Sequence, residues 1–484
     1  MSNQPLVALI VVAPILVAVL LNLGYGKIRF SKYLFIASAF ALLIIVLLSG
    51  YGYHWFAGHP IFQGLRLSLE YVFTPYHKFA LFILSLLLIF TAFAASVSVV
   101  GKPGVYYAFL LLCYASTAMA VLTNDLYHLW IAVEVASLII AGVVIAAGSP
   151  GAHRATLKYM FITGFAGAGL AVSLAILLGV TGVANISDAV YALSTMSLEG
   201  LMPTIYMAYA FFVIAWIYVA GMAPTHPIKA DIYRYSLPHA AALLQAQAKL
   251  MMVAIGLIIL RLFGSMPFTR ESMLVISLIT AIFGVVLALM QSDLRHVLAY
   301  IVVSHGGLVG IGLSIGTAYA ISAALFQAIN DIIYMGLLFL ACEAIILLVK
   351  RDPAAGLGNL ISKAPSLALF IFIGSFAASG IPPLNGFQSE LMLINAALSV
   401  GLPEVAVVIL FVSVTTFIAL FKSIYEIILR PKKVESEVLG SIPNSLYASL
   451  FILSVLCIVF GLIPQLPLSF INPMAAEVGL AWPH

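Results

Sequence analysis

Long apolar runs, separated by short polar or basic segments, fill the chain from its first residues to its last. They show no heptads, no low-complexity tracts and no linkers, and most match the roughly 20 residues a bilayer-crossing helix needs. The pattern predicts about fourteen spans, near residues 5–23, 31–50, 78–99, 105–123, 126–148, 155–182, 203–223, 238–263, 272–291, 295–315, 318–349, 365–396, 403–429 and 445–469. The expected fold class is therefore an all-α polytopic membrane protein, a single transmembrane domain over residues 1–484. The longest connection, Tyr51 to Tyr76, mixes Gly, Pro, His and aromatics and should hold a short hairpin or an interfacial segment.

Two predicted spans are interrupted. Pro224, Pro227 and Pro238 break span 7 and its passage into span 8; Pro382 and Pro383, after Gly380, break span 12. Each broken span is followed by one carrying a lysine: Lys249 in span 8, Lys422 in span 13. Broken helices at membrane depth are tolerated where they line a cavity or are buried in protein. Matching interruptions in two halves point to an inverted-repeat transporter with its path near the bilayer midplane.

Composition agrees: 64% of residues are hydrophobic and 8% charged, against about 25% charged in a soluble domain. The net charge of +4 argues for no nucleic-acid partner; the basic residues are better explained by topology. With the N-terminus outside, loops falling inside hold Lys27, Arg29, Lys32, Lys102, Arg154, Lys158, Lys229, Arg234, Arg295, Lys350, Arg351, Lys363, Arg430, Lys432 and Lys433, which is 15 of the 21 Lys and Arg. Arg66, Lys78, Arg261 and Arg270 fall outside. The positive-inside rule then places both termini outside a cytoplasmic or inner membrane. Pro5 to Leu23 follows no basic stretch and reads as a retained first helix. Cys113, Cys342 and Cys457 sit in apolar runs as structural thiols, without metal-ligand spacing.

Charge inside hydrocarbon is costly, so intramembrane ionisable residues are functional candidates by default. Glu134 lies in span 5, Lys249 in span 8, Glu390 just after the span 12 break and Lys422 in span 13. For the first three the plain alternative is a static buried ion pair; for Lys422 it is an i,i+4 pair with Glu426, the lysine snorkelling to the inner face. Span 11 adds Gln327 and Asp331, four apart on one face, flanked by Asn330. His226 and His239 bracket the connection from span 7 to span 8, and His305 lies in span 10; each is a relay candidate or a hydrogen-bonded core histidine. A row of such groups joined by water can pass protons, because burial and a charged neighbour set the cost of each change of charge.

Several of these segments resemble one family: the antiporter-like subunits of respiratory complex I, of Mrp-type cation/proton antiporters and of membrane-bound hydrogenase or sulfur reductase complexes. The likeness rests on Glu134, LKYMFITG opening span 6, PTHPIKAD at the first break, Lys249 in QAQAKL, QSDLRHVLAYIVVSHGGLVGIG and GIPPLNGFQSE, covering spans 4 to 13. It implies two inverted five-helix repeats, about 105–263 and 272–429, and a central hydrophilic axis in which Glu134, Lys249 and Glu390 take part. The family's usual lysine, five residues before the first break, is Val219 here, so Glu134 lacks its usual partner. Span 11 has Gln327, Asp331 and Met335 where histidines and a lysine are common in the family.

The expected function is an ion-translocating subunit, moving protons or sodium, within a multi-subunit redox-driven or Mrp-type membrane complex. The alternative is a structural or signal-transmitting subunit with a degenerate path; a stand-alone solute carrier fits the resemblance less well. No cysteine set for iron–sulfur ligation and no Gly-rich nucleotide loop is legible, so no cofactor is expected in this chain, and any redox catalysis belongs to partner subunits.

Overall fold

The computed structural model describes residues 4–23, 28–62, 65–99, 103–148, 151–350, 360–430 and 440–480. Lys27, Lys102, Arg351, Lys432 and Lys433, all counted above as inner-loop charges, lie outside the described residues. Two helices, α1 (Gln4–Leu23) and α2 (Ile28–Leu48), lead into the hairpin β1 (Gly52–Phe62) and β2 (Leu65–Phe73). There follow α3 (Pro75–Ser98), α4 (Pro103–Leu122), α5 (Leu126–Ala146), α6 (Ala152–Thr181), the short α7 (Ile186–Thr195), α8 (Met202–Ala220), the short α9 (His226–Tyr235) and α10 (Pro238–Phe263). The second half comprises α11 (Thr269–Met290), α12 (Leu294–Ile315), α13 (Ala318–Val349), α14 (Leu360–Lys363), α15 (Pro365–Ala378), α16 (Asn385–Ser399), α17 (Pro403–Ile424), α18 (Asn444–Leu462) and α19 (Gln465–Val478).

Among the described residues, thirteen helices are long and apolar enough to cross a bilayer. The fourteenth crossing is α15 and α16 in tandem: α15 has 14 residues, about 21 Å of helix, too short to span alone. The expected hairpin is present, with antiparallel pairing from Gly52 opposite Phe73 to Phe62 opposite Leu65 and two bulges. It is tied to the bundle by Glu70, whose Oε2 accepts hydrogen bonds from Asn124 Nδ2 at 2.7 Å and Asn185 Nδ2 at 2.6 Å.

The last predicted span, 445–469, is in fact two helices. Ile463 precedes Pro464 and leaves the helical region, at φ −127° and ψ 66°, so α18 stops and α19 starts anew. The short α7 was not foreseen. Its ten residues are too few for a span, and it starts where the Asn185 side chain accepts hydrogen bonds from the backbone N–H groups of Ser187 and Asp188. Past Ile424, α17 runs on as one π-helical turn, Tyr425–Leu429.

Both predicted breaks exist. Helix α8 closes at Gly221, whose φ of +71° suits glycine, and the chain passes Ala223-Pro224 before α9. Helix α15 closes ahead of Gly380, at φ +63°, and the chain passes Pro382-Pro383 before α16. Ala223 N–H, freed by the first break, donates to Thr280 Oγ1 of α11 at 3.0 Å. Protein groups thus take up backbone that lipid could not satisfy.

The centre of the bundle is α10, α12 and α13. The apolar window of α12 is wholly buried and that of α10 is 94% buried, against 33% for α1 and α2. The most enclosed helices are also those that carry the polar residues, opposite to what hydrophobic burial alone would select.

Candidate ion path

Lys249 lies near the middle of α10 and is buried. Its ammonium is 2.7 Å from Asp331 Oδ2, near the middle of α13, and donates to the Val302 carbonyl of α12 at 3.0 Å. Balance for this charge was expected from another helix or from water, and Asp331 supplies it. Its other oxygen, Oδ1, is 2.8 Å from His305 Nδ1 of α12.

From His305 the polar row runs on along one face of α13. The Tyr334 hydroxyl is 3.1 Å from His305 Nδ1, and Gln327 Nε2 donates to that hydroxyl at 3.0 Å. Ser389 Oγ of α16 donates to Gln327 Oε1 at 2.6 Å. Asn330 Nδ2 braces this corner through Ser389 Oγ at 3.1 Å and the Asn385 carbonyl at 3.0 Å. Residues 327, 330, 331 and 334 share a helix face by their spacing. Glu390, the neighbour of Ser389, accepts a hydrogen bond from Ser413 Oγ of α17, while its Oε1 is buried without a partner. Its carboxylate occupies the space that a Cβ on Gly380 would fill, so the second break both turns the chain and admits Glu390.

Glu134 makes no hydrogen bond or ion pair with this row among the described residues, but it reaches a cavity that α10 lines with Gln247, Ala248 and Met251, the sequence neighbours of Lys249. It is half-buried on α5, with its carboxylate lying against Gly167 of α6, where a Cβ would collide with it. The cavity is small, about 20 Å³, and Glu134 lines it together with Tyr159, Val219, Lys229, Gln247 and Met251. Lys229 therefore needs correction: it is no inner-loop charge but is 4% exposed on α9. Its stem packs over Gly221, and its ammonium is 5.4 Å from the centre of the Tyr159 ring. Glu134, with Val219 where a lysine was looked for, thus shares its cavity with a lysine from beyond the break. The short α9 folds back against α6 and α12, which carries Lys229 inward.

The remaining candidates lie apart from the row. His239 is wholly buried at the start of α10; its Nδ1 is 3.1 Å from Glu343 Oε2 of α13, and its Nε2 is 3.0 Å from the Tyr106 hydroxyl of α4. His226, half-buried at the start of α9, has its ring 6.4 Å from that of Phe283. Lys422 is not part of the row and does not pair with Glu426, but it does reach towards the inner end of the bundle, as a snorkelling lysine would. It is exposed and donates to the carbonyls of Leu289 and Gln291 at 3.3 and 3.2 Å, at the end of α11. A cation suits the free carbonyls of a helix C-terminus. Glu426 instead bonds Arg430 Nη1 at 2.6 Å.

Sequence reading missed Tyr334, Lys229 and Glu343. Tyr334 was signalled by its place three residues after Asp331, and Glu343 by being an acid in the apolar run LFLACEAIILL. Lys229, in the polar stretch HPIKADIYRY, carried no such signal.

The chain is thus a many-spanning helical membrane protein with two broken helices and a buried lysine–carboxylate pair at its core. The family model for the transmembrane part of NADH:quinone oxidoreductase and Mrp antiporter subunits matches residues 123–419. The chain belongs to that family, as an antiporter-like membrane subunit. An uncharacterised protein of Methanocaldococcus jannaschii is 35% identical over 98% of both chains. A subunit of the Na(+)/H(+) antiporter of Alkalihalophilus pseudofirmus is 29% identical, over 66% of this chain and 64% of that protein. In the solved Mrp complex from Dietzia sp. DQ12-45-1b, a chain superposes with a TM-score of 0.86 at 24% identity, over 99% of this chain and 98% of the other, a likeness of fold.

Proposed function

We propose that the chain moves protons across the membrane as one subunit of a multi-subunit complex, along the row Glu134, Lys229, Lys249, Asp331, His305, Tyr334, Gln327, Ser389 and Glu390. The observation that carries this reading is the Lys249–Asp331 pair, whose 2.7 Å contact continues through hydrogen-bonded side chains to the neighbour of Glu390. A buried lysine and a buried carboxylate stabilise each other's charge, and each alone is strongly disfavoured there. A charge that draws Asp331 away from Lys249 raises the cost of the ammonium and promotes release of its proton; restoring the pair draws a proton back. Hydroxyl, imidazole and amide groups in contact supply donors and acceptors for the transfers between.

The conformational or redox event that moves the pair comes from neighbouring membrane subunits, since nothing in the sequence suggests a redox centre of the chain's own. The distribution of basic loops supports an orientation with those loops inside and both termini outside. The direct test is proton uptake into sealed vesicles carrying the assembled complex, with Asp331→Asn against the unaltered chain. The reading requires a fall of about a hundredfold or more, the scale of losing a positioned acid–base group. An unaltered rate with the complex intact favours the alternative, a structural or signal-transmitting subunit.

A further inference from the structure

The helices that hold the central pair hold another. Helix α10 carries Lys249 and, ten residues earlier, His239; α13 carries Asp331 and, twelve residues later, Glu343. Those separations correspond to roughly 15 and 18 Å of helix, so two acid–base pairs stand one above the other between the same helices. The upper rung is Lys249 with Asp331, and the lower is His239 with Glu343. The lower pair is enclosed: His239 is 0% exposed and Glu343 2%. Glu343 Oε2 also receives the His239 backbone N–H at 3.4 Å, placing the carboxylate at the α10 N-terminus, where negative charge is favoured.

We infer that His239, Glu343 and Tyr106 form a separate proton-exchange site, through which protons pass between the path and the side of the membrane that holds the basic loops. This rests on the proposed proton path and adds its terminus on that side. Placement is the first argument. The site lies at the end of the bundle where α3 finishes, α4 starts, α10 starts and α13 finishes, next in sequence to Lys102, Arg234 and Lys350.

The second argument is chemical. Tyr106 approaches His239 Nε2 at 3.0 Å while Glu343 takes Nδ1. A phenol can donate or accept. With neutral histidine the hydroxyl donates to Nε2 and Nδ1–H donates to the carboxylate. When one proton is added, the imidazolium donates at both nitrogens and the hydroxyl turns to accept. Histidine and glutamate together go from net −1 to zero and back as one proton is taken up and released, with every heavy atom in place. Among the described residues, the titratable groups facing His239 are Glu343 from α13 and Tyr106 from α4, with Tyr107 behind Tyr106; α3 contributes the Thr91 hydroxyl, which donates to the His239 carbonyl at 3.3 Å.

The third argument is what lies between the rungs. Gln245 of α10 is wholly buried, and its Oε1 has no partner. Gln247 is bonded to Ser116 Oγ at 3.1 Å and receives Cys113 Sγ at 3.0 Å. In the stretch from His239 to Lys249 these two buried amides stand among five alanines and the buried Leu243 and Leu244, so polar groups continue between the rungs.

The test uses the full chain with its co-purifying membrane subunits in sealed vesicles, with proton flux followed by a pH-sensitive dye as the pH on each side is varied separately. The double variant His239→Gln and Glu343→Gln keeps hydrogen-bonding capacity and removes both titratable groups. It should lower flux by about tenfold or more and abolish the dependence on pH at the basic-loop side, with dependence on the opposite side kept. Wild-type flux with unchanged dependence on both sides overturns the proposal. Should the double variant fail to assemble, Tyr106→Phe removes only the switching hydroxyl; a several-fold slower flux supports the site and an unchanged flux overturns it. Lys249→Ala, measured alongside, separates the two readings: wild-type flux there removes the central path itself, whatever His239 does.

Discussion

Asp331 reaches from α13 to within 2.7 Å of Lys249 on α10, and its second oxygen is held 2.8 Å from His305 on α12. One carboxylate thus ties together the three most enclosed helices. Removing it leaves a buried ammonium without its counter-charge, which costs about 3–5 kcal/mol, whereas replacing both partners by neutral groups costs far less. Thermal unfolding in lipid nanodiscs should therefore show Asp331→Asn well below the unaltered chain, and Asp331→Asn with Lys249→Gln recovering most of the loss. Equal destabilisation by the single and double variants would contradict the pairing.

Glu134 and Lys229 line one cavity from opposite sides of the first break. Lys229→Ala should reduce proton flux in vesicles, and adding Val219→Lys, which returns an ammonium to that cavity, should recover part of it. Val219→Lys should not rescue Lys249→Ala. Full flux in Lys229→Ala would remove this lysine from the path.

Gly380 meets two demands, a φ of +63° and space for the Glu390 carboxylate. Gly380→Ala should cost more than the about 1–2 kcal/mol of left-handed strain, because Glu390 must also move, and flux should fall with stability. A stable, fully active Gly380→Ala would show that the carboxylate does not need this seat.

Topology can be read by cysteine labelling from each side, because Cys113, Cys342 and Cys457 are buried. Cysteines at Glu199 and Leu480 should react from outside, and one at Arg430 from inside. Inside labelling at 480 would contradict an even number of crossings.

Much of this was legible from the chain alone. Apolar run lengths located the spans, and proline clusters located both breaks, because hydrocarbon leaves backbone few alternatives. Glu134, Lys249 and Glu390 stood out as charges in apolar runs, and Asp331 as a polar residue on the Gln327 face. Which of them meet was not legible: Asp331 and Lys249 are 82 residues apart, and Glu343 and His239 are 104 apart. Lys229 misled for a local reason. Charge within a proline-rich segment reads as loop, and only the return of α9 against α6 and α12 buries it. For Lys422 the snorkelling was legible and the partner was not: its side chain reaches the carbonyls at the end of α11 in place of Glu426.

The central claim is that Lys249 switches the path. The most direct measurement is ion uptake by sealed vesicles containing the complex with Lys249→Ala, with assembly checked by co-purification and any redox activity followed in parallel. The account predicts an intact complex whose proton transport is abolished or reduced by about a hundredfold or more. Unchanged coupled transport in an intact Lys249→Ala complex would contradict it and would mean that the ions move through another subunit.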